Sequence, residues 1–410
     1  MRNYFYDVSD GALDINYTVK PDGDTAAYNL AKTMEYYGRI VSRDERDLLL
    51  AELLHDAITT ADTADVIDFS QYDHVIVFHA GVGQDFSLED ATPRDIPSRF
   101  VTPSVVDQKY SGGISVNNGT HSVRSGIIVP ETESQYFTDA VLGVEVFREI
   151  GLNGILIANF GSALGMPDMF NTDQGTPGVG VFGLEDQGAV NGDGMIPAEP
   201  DPWTKIYMGW AQPIIVADSI NAQLRSRKTA GQSVILKVPI SASEYYLIEN
   251  RQRDVISNSL SPETLIRIDT IYNVDNTIDE IDTAYMAGVE RSPVSGVITK
   301  VDEYDSALPG SGLLIWHVDE NVIAANLSSN AINNNSERRG VRVVEGSGSQ
   351  DIGLNFQSFF GTTVGAGDKY DFFFHGNEGF RFYNKKSDSV YFDSKSIPAA
   401  LTYDRASTGI

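Results

Sequence analysis

Hydrophobic and polar positions follow two different periods along this chain. Apolar residues at helical spacing predict amphipathic helices over 24–37, 43–60, 137–149 and 153–164. Alternation predicts strands over 13–19, 234–238, 245–249, 312–318 and 340–345, and an apolar run predicts a buried strand over 72–81 that ends in a Gly turn. Short strands are also predicted near 100–101 and 126–129. Between them, 171–202 is rich in Gly, Pro, Asp and Asn and favours a long ordered loop.

The change from helical to alternating spacing lies near residue 215. We therefore predict an α+β protein with a mixed α/β domain at 1–215 and a mostly β domain at 216–410. No repeat of fixed period is visible.

Composition narrows the class of protein. With 410 residues, 41% hydrophobic and 10% aromatic, the chain suits a well-packed globular protein, and no apolar run approaches the roughly 18–20 residues that span a bilayer. The formal net charge of −27 repels nucleic acid and anionic membrane surfaces. A solvated acidic surface explains this charge. A secreted protein, a salty environment or bound divalent cations would suit it equally.

Cysteine is absent, which excludes disulfides, Cys-ligated zinc and thiol catalysis. The first residues lead into polar and aromatic sequence without the apolar segment of a signal peptide. Neither observation fixes the compartment.

The stretch 157–168 has the frame of a zinc-protease helix, H-E-x-x-H-x-x-G-x-x-H or the same with a final Asp. Ala158 stands at the first His, Asn159 at the Glu and Ser162 at the second His, whereas Gly165 and Asp168 match the frame. Residues 158 and 162 share one helix face, the face that would carry two zinc ligands. Because catalytic zinc needs about three protein ligands and a water, one carboxylate cannot hold it.

Five motifs occur in the order found in immune inhibitor A-type secreted bacterial metallopeptidases, and together they cover most of the chain. They are the strand and turn 72–81, the stretch 158–168, the segment 203–210, the strand 244–253 and the segment 308–320. The chain therefore resembles this family.

This resemblance implies a zincin-like peptidase domain followed by a β-rich, sandwich-like domain, in a secreted zinc endopeptidase that often carries calcium sites. Carried over by position, the zinc ligands and general base fall on Ala158, Asn159 and Ser162, and only Asp168 is retained as the third-ligand position. Glu185 falls where the family has the Met of the turn beneath the metal. Several site positions differ together, which favours natural loss of activity over an engineered knockout, so no catalytic residue and no zinc are expected.

The family also begins with an apolar strand upstream of the segment that resembles residues 2–6. We therefore expect this chain to be a fragment or a processed product, and another segment to fill the sheet edge that the strand would occupy.

Calcium is the stronger cation candidate, because it prefers carboxylate and carbonyl oxygens. Asp173, Asp193, Asp275 and Asp279 lie in oxygen-rich stretches, although none forms a full EF-hand loop. Asn/Asp/Gly turn chemistry explains the same stretches.

The other candidates for chemistry are weaker. None of the six histidines has a helical i,i+4 partner, so structural roles are favoured. A rebuilt zinc site from His79 or His121 with Asp168 stays open. Ser162 does not lie in G-x-S-x-G, which disfavours a serine hydrolase. No P-loop or dinucleotide fingerprint is present.

The sequence thus favours a non-catalytic extracellular or cell-surface protein on a metallopeptidase scaffold, acting in a surface layer, a filament, an adhesin or a scaffold. We expect a protein partner or self-assembly, and the vestigial cleft would hold an extended peptide by strand addition. The alternatives are an active secreted endopeptidase with a relocated metal site and a calcium-stabilised module.

Overall fold

The computed structural model describes residues 1–23, 26–86, 95–138, 143–218, 223–253, 270–272, 278–281, 288–358, 361–385 and 389–409. It confirms a mixed α+β protein. The chain divides into two compact units. The major unit contains 1–14, 166–192 and 196–410, and the inserted unit contains 15–165 and 193–195.

The helices of the described residues are α1 Arg2–Val8, α2 Met34–Tyr37, α3 Arg43–Ala64, α4 Pro103–Lys109, α5 Asn153–Leu164, α6 Pro202–Tyr207, α7 Arg227–Ala230, α8 Glu320–Asn326 and α9 Glu378–Asn384. The strands are β1 Ile76–Val82, β2 Arg99–Val101, β3 Ile114–Val116, β4 His121–Val123, β5 Gly126–Thr132, β6 Gln135–Thr138, β7 Glu145–Arg148, β8 Ile214–Ile215, β9 Leu236–Pro239, β10 Glu244–Arg251, β11 Thr270–Tyr272, β12 Ile278–Ile281, β13 Val289–Arg291, β14 Ile298–Val301, β15 Gly312–Asp319, β16 Val341–Val344, β17 Asn355–Ser358 and β18 Gly361–Val364.

A three-stranded sheet in the order β1-β5-β2 forms the centre of the inserted unit. β1 runs parallel to β5, and β2 runs antiparallel to it. A methyl group added at Gly126 would lie 2.6 Å from Leu54, so glycine lets α3 approach β5 closely. The core between helix and sheet includes Leu50, Leu54 and Ile128.

α3 confirms the predicted helix at 43–60 and continues to Ala64. Ser42 caps it by accepting a hydrogen bond from the backbone N–H of Glu45. Its apolar residues face the core because they recur at helical spacing.

The major unit is built on a five-stranded sheet in the order β16-β15-β10-β9-β8. β10, β15 and β16 pair antiparallel, with Leu247 opposite Trp316. One face carries a large core that includes Leu247 and Trp316, and both are fully buried. The predicted strands in 234–345 are confirmed, because their alternation matches this two-faced sheet.

The other face of the same sheet is covered by residues near the end of the chain. Tyr246 and Ile315 pack with Phe392 and Ala400. The Tyr246 hydroxyl also donates to the backbone oxygen of Leu401 at 2.7 Å. Both faces of β10 and β15 are therefore buried.

α1 belongs to the major unit, although it begins the chain. Tyr4 and Phe5 are fully buried. The Tyr4 hydroxyl donates to the backbone oxygen of Ala198 at 2.5 Å, and Asp7 pairs with Arg227 at 2.6 Å. Long-range contacts thus hold a helix of only seven residues.

The helix predicted at 137–149 is wrong. Residues 135–138 and 145–148 form the antiparallel pair β6–β7, in which Tyr136 faces Phe147. Gly143 has a φ of +66°, a turn conformation that a helix interior does not accept. The apolar spacing in this stretch fits a hairpin as well as a helix.

Two further elements differ from prediction. Residues 13–19 form no strand, and Tyr17 and Val19 stay largely exposed. Of the helix predicted at 24–37, only Met34–Tyr37 is helical, whereas 26–33 is irregular and residues 24–25 lie outside the described part. Lys32 explains part of this difference, because it reaches Asp56 on α3 at 2.7 Å and tertiary contact overrides local spacing.

The compact units do not follow the predicted boundary. Residues 1–14, 166–192 and 196–215 belong with the C-terminal half of the chain. The division into a peptidase-like domain at 1–215 and a β-rich domain at 216–410 stays a prediction.

Candidate functional site

α5 spans Asn153–Leu164, as predicted, and ends where the frame expects. Gly165 has a φ of +95°, and its N–H donates to the carbonyl oxygens of Gly161 and Ser162. This left-handed stop suits glycine. Leu152 is the N-cap, and no side chain caps the helix.

The side chains at the frame positions of α5 bond to their own helix. The Asn159 amide donates to the carbonyl oxygen of Ile155 at 2.9 Å, and the Ser162 hydroxyl donates to that of Ala158 at 3.2 Å. Such back-bonding satisfies a polar side chain locally. Ala158, Asn159 and Ser162 are neither fully buried nor fully exposed.

Asp168 lies in the major unit, in a reciprocal pair with Asn330. The Asn330 amide donates to the Asp168 carboxylate at 2.8 Å, and the backbone N–H of Asp168 donates to the Asn330 side chain at 2.8 Å. Asn330 holds a φ of +53°, which Asn tolerates better than most residues. The retained carboxylate therefore has a structural task.

The turn at 183–188 is held by the residue after the predicted Met-turn position. Asp186 accepts hydrogen bonds from the N–H groups of Gly178, Val179 and Gly180 at 2.7–2.8 Å. Burial raises the pKa of Asp186 to about 6, against the lowering effect of these bonds. Glu185 itself is buried, and its carbonyl oxygen accepts from Met169 N–H at 2.8 Å.

These residues do not fit a catalytic zinc ion. Ala158 has no donor atom, Asn159 is bonded within its helix, and the Asp168 carboxylate bonds Asn330. Among the described residues, no group of three or more His, Asp or Glu side chains is arranged to hold a metal ion.

Of the four calcium candidates, the structure describes the side chains of Asp173 and Asp193, which belong to different units. The backbone N–H of Asp173 donates to the Asn171 side chain at 3.0 Å, which is turn chemistry. The Asp193 carboxylate pairs with Arg148 at 2.7 Å. Asp275 lies outside the described residues, and Asp279 lies on β12 with its side chain outside the description.

The histidines occupy separate elements. His79 lies on β1 and His121 on β4, both in the inserted unit, so the alternative set with Asp168 draws on both units. His317 is buried, its Nε2 lies 3.0 Å from the Glu244 carboxylate, and its ring stacks on Tyr403. Burial lowers the pKa of His317 to about 3, consistent with a neutral packing residue.

Sequence reasoning missed a buried charged network in the major unit. Glu199 accepts hydrogen bonds from Lys205 at 2.6 Å and from Arg227 at 2.7 Å. Arg251 pairs with Asp305 and lies 3.1 Å from Glu249. Burial raises the pKa of Glu199, but the charges of Arg227 and Lys205 outweigh it and hold the pKa well below its ordinary value. These residues are spread between positions 199 and 305 and form no recognisable motif, so the sequence contains no indication of the network.

Two buried carboxyls in other places also escaped prediction. Glu133 in the inserted unit is fully buried, and neither oxygen of its carboxyl has a hydrogen-bond partner among the described residues. Burial, followed by the charge of Asp85, raises the pKa of Glu133 to about 9. In the major unit, burial and the charge of Glu345 raise the pKa of Asp371 to about 8. The local pattern E-x-S-x-S-x-D at 345–351 was the available signal for the second group.

Comparison with protein-family models, curated proteins and solved structures gave no significant match. Among the described helices, none is both long and apolar enough to cross a bilayer.

Proposed function

We propose that this chain is a non-catalytic extracellular or cell-surface protein on a degenerate, zincin-like metallopeptidase scaffold of the immune inhibitor A type. The observation that carries the proposal is α5, which has the length and glycine stop of the frame without its donors. Asn159 and Ser162 bond their own helix instead.

The role that fits such a scaffold is structural or binding. The chain has a net charge of −27. A role in a surface layer, a filament, an adhesin or a scaffold requires no catalytic centre. Its partner would be a protein or a second copy, and the vestigial cleft would hold an extended peptide through backbone hydrogen bonds. The proposal includes a β-rich, sandwich-like C-terminal domain.

The direct test combines metal analysis with a cleavage assay. Purified protein is analysed for zinc by mass spectrometry and incubated with casein or gelatin, with and without chelator. We expect neither stoichiometric zinc nor cleavage. Stoichiometric zinc with chelator-sensitive cleavage would overturn the proposal and favour the alternative, an active endopeptidase with a relocated metal site.

A second experiment tests the frame. A triple variant, Ala158→His with Asn159→Glu and Ser162→His, restores the donors of the motif. We expect it to bind about one zinc ion per chain, because the frame then supplies the three ligands of a catalytic site. The matched control adds Asp168→Ala, which removes the third ligand and should lower zinc affinity. Equal zinc binding by the two variants, or none by either, would contradict the proposed frame.

A further inference from the structure

Two buried carboxyls in the major unit are joined by a bridge of two serine hydroxyls. Glu345 and Asp371 are each 2% exposed. The Ser347 Oγ lies 2.8 Å from the Asp371 carboxylate and 2.7 Å from the Ser349 Oγ, which lies 3.3 Å from the Glu345 carboxylate. The bridge thus contains three successive hydrogen bonds.

The bridge has more hydrogen bonds than its two hydroxyl groups have protons. Three hydrogen bonds need three donated protons, whereas each serine hydroxyl supplies one. If both carboxyls were ionised, the two hydroxyl protons would fill only two of the three contacts, and in the third two oxygen atoms would meet with no proton between them. One proton on either Glu345 or Asp371 completes the bridge in one direction or the other.

The remaining bonds of both carboxyls hold backbone in place. Glu345 accepts from the N–H groups of Asp351 at 2.7 Å and Ile352 at 3.1 Å. Asp371 accepts from the N–H of Asp368 at 2.8 Å. The bridge therefore ties the loop 345–352 to the segment 368–371.

The charged groups near the bridge are mostly acidic. Asp368 and Glu345 raise the pKa of Asp371, and Asp351 raises that of Glu345. Arg342 acts in the opposite direction on Glu345, Lys369 acts so on Asp368, and Arg339 lies within electrostatic reach of Glu345. Burial is the largest cause of the raised pKa values of both carboxyls.

We propose that Glu345, Ser349, Ser347 and Asp371 form a proton-holding lock, which keeps the loop 345–352 on the segment 368–371 while one proton is shared and loosens when that proton leaves. Loss of the proton places two negative charges in a buried site and leaves one of the three contacts without a hydrogen bond. The segments then separate locally.

The sign of the pH dependence follows from linkage. The folded pKa of Asp371 is raised from its ordinary 3.8 to about 8, so the folded protein holds a proton that the unfolded chain has lost. The stabilising contribution is complete below pH 3.8 and is lost as the pH rises through about 8. Asp371→Asn removes the carboxyl with the raised pKa, while its amide nitrogen donates to Ser347 and its amide oxygen still accepts from the Asp368 N–H, so this part of the pH dependence should disappear.

The test measures thermal unfolding and amide hydrogen exchange of the full chain from pH 5 to pH 9 in EDTA. We expect Asp371→Asn to become increasingly more stable than wild type as the pH rises, with a slope difference of about one proton. Exchange of the Asp351 and Ile352 amides, corrected for intrinsic rate, should rise with pH in wild type and stay flat in the variant. Glu378→Gln, at an exposed position on α9, is the matched control and should follow wild type.

Two further arms keep the inference testable. Ser349→Ala retains both carboxyls and breaks the bridge, so exchange at the two amides should increase already at pH 6. Parallel curves for wild type and Asp371→Asn would overturn the proposal. So would a wild-type melting temperature that becomes independent of pH on addition of millimolar calcium, because a cation and not a proton would then occupy the oxygens.

Discussion

Polar side chains form local hydrogen bonds on α5 and long-range ones in the buried charged network of the major unit. On α5, Asn159 and Ser162 bond carbonyl oxygens one turn away in the same helix. In the charged network, Glu199 joins Lys205 and Arg227, and the latter is 28 positions away. The first arrangement is local and partly exposed, whereas the second is buried and depends on the whole unit.

The residues that match a sequence motif are therefore not the residues expected to contribute most to stability. α5 carries the recognisable sequence frame, but removal of its polar side chains should change the stability little. The groups whose removal should change the protein most are spread along the chain and match no motif. Four changes test this contrast, from the largest expected effect to the smallest.

Arg251→Ala should be the most destabilising. It leaves the carboxylates of Asp305 and Glu249 buried without their cation, and breaking a buried pair costs about 3–5 kcal/mol. Urea denaturation measures the loss. Lys300→Ala is the control, because Lys300 forms exposed pairs with Glu290 and Asp302 and should have no measurable effect. Equal losses for both variants would remove the contrast.

Asp186→Ala should follow, because the N–H groups of Gly178, Val179 and Gly180 would lose their acceptor. We expect a loss of about 3 kcal/mol, typical of buried amides deprived of a charged partner. Asp186→Asn keeps one acceptor oxygen and should lose less, as measured by the same denaturation series. Similar losses for the two variants would show that the carboxylate, and not the acceptor count, matters.

Glu133→Gln tests whether a buried carboxyl in the inserted unit makes stability fall as the pH rises, as proposed for the major unit. The folded pKa of Glu133 is raised from 4.5 to about 9, so its stabilising contribution is complete below pH 4.5 and is lost as the pH rises through about 9. The variant should therefore be more stable than wild type at pH 8 and lose this advantage near pH 4, in thermal melts. Glu145→Gln, at an exposed position on β7, is the control. Parallel melting curves for Glu133→Gln and wild type would contradict the raised pKa of Glu133.

Asn159→Ala should have the smallest effect, within about 0.5 kcal/mol of wild type. The lost bond is local to α5, and alanine is the better helix former. Chemical denaturation measures the difference. A loss above about 2 kcal/mol would show that Asn159 has a tertiary task, and the contrast between the two regions would fail.

Sequence reasoning located the elements whose period is unambiguous. α3, α5, β10, β15 and β16 were predicted because their apolar residues recur at a spacing that fits one type of element. The hairpin β6–β7 was mistaken for a helix because apolar residues at short range fit both periods. The end of α5 was also predictable, because a helix that ends in a left-handed glycine has a recognisable sequence pattern.

The long-range part of the site was not accessible in this way. Asn330, which engages Asp168, lies 162 residues away, and nothing in its sequence context indicates that bond. The charged network has the same character. Only the alternating oxygen-bearing residues at 345–351 carried a local signal, which fitted a turn equally well.

The position of α1 has a consequence for the order in which the protein folds. The partners of Tyr4 and Asp7 lie 194 and 220 residues further along the chain. During synthesis most of the inserted unit emerges between α1 and these partners, so α1 finds its place only after that stretch has been made. Until then Tyr4, Phe5 and Val8 lack the apolar surroundings that bury them in the folded protein, and exposed apolar surface of this kind favours association of a nascent chain.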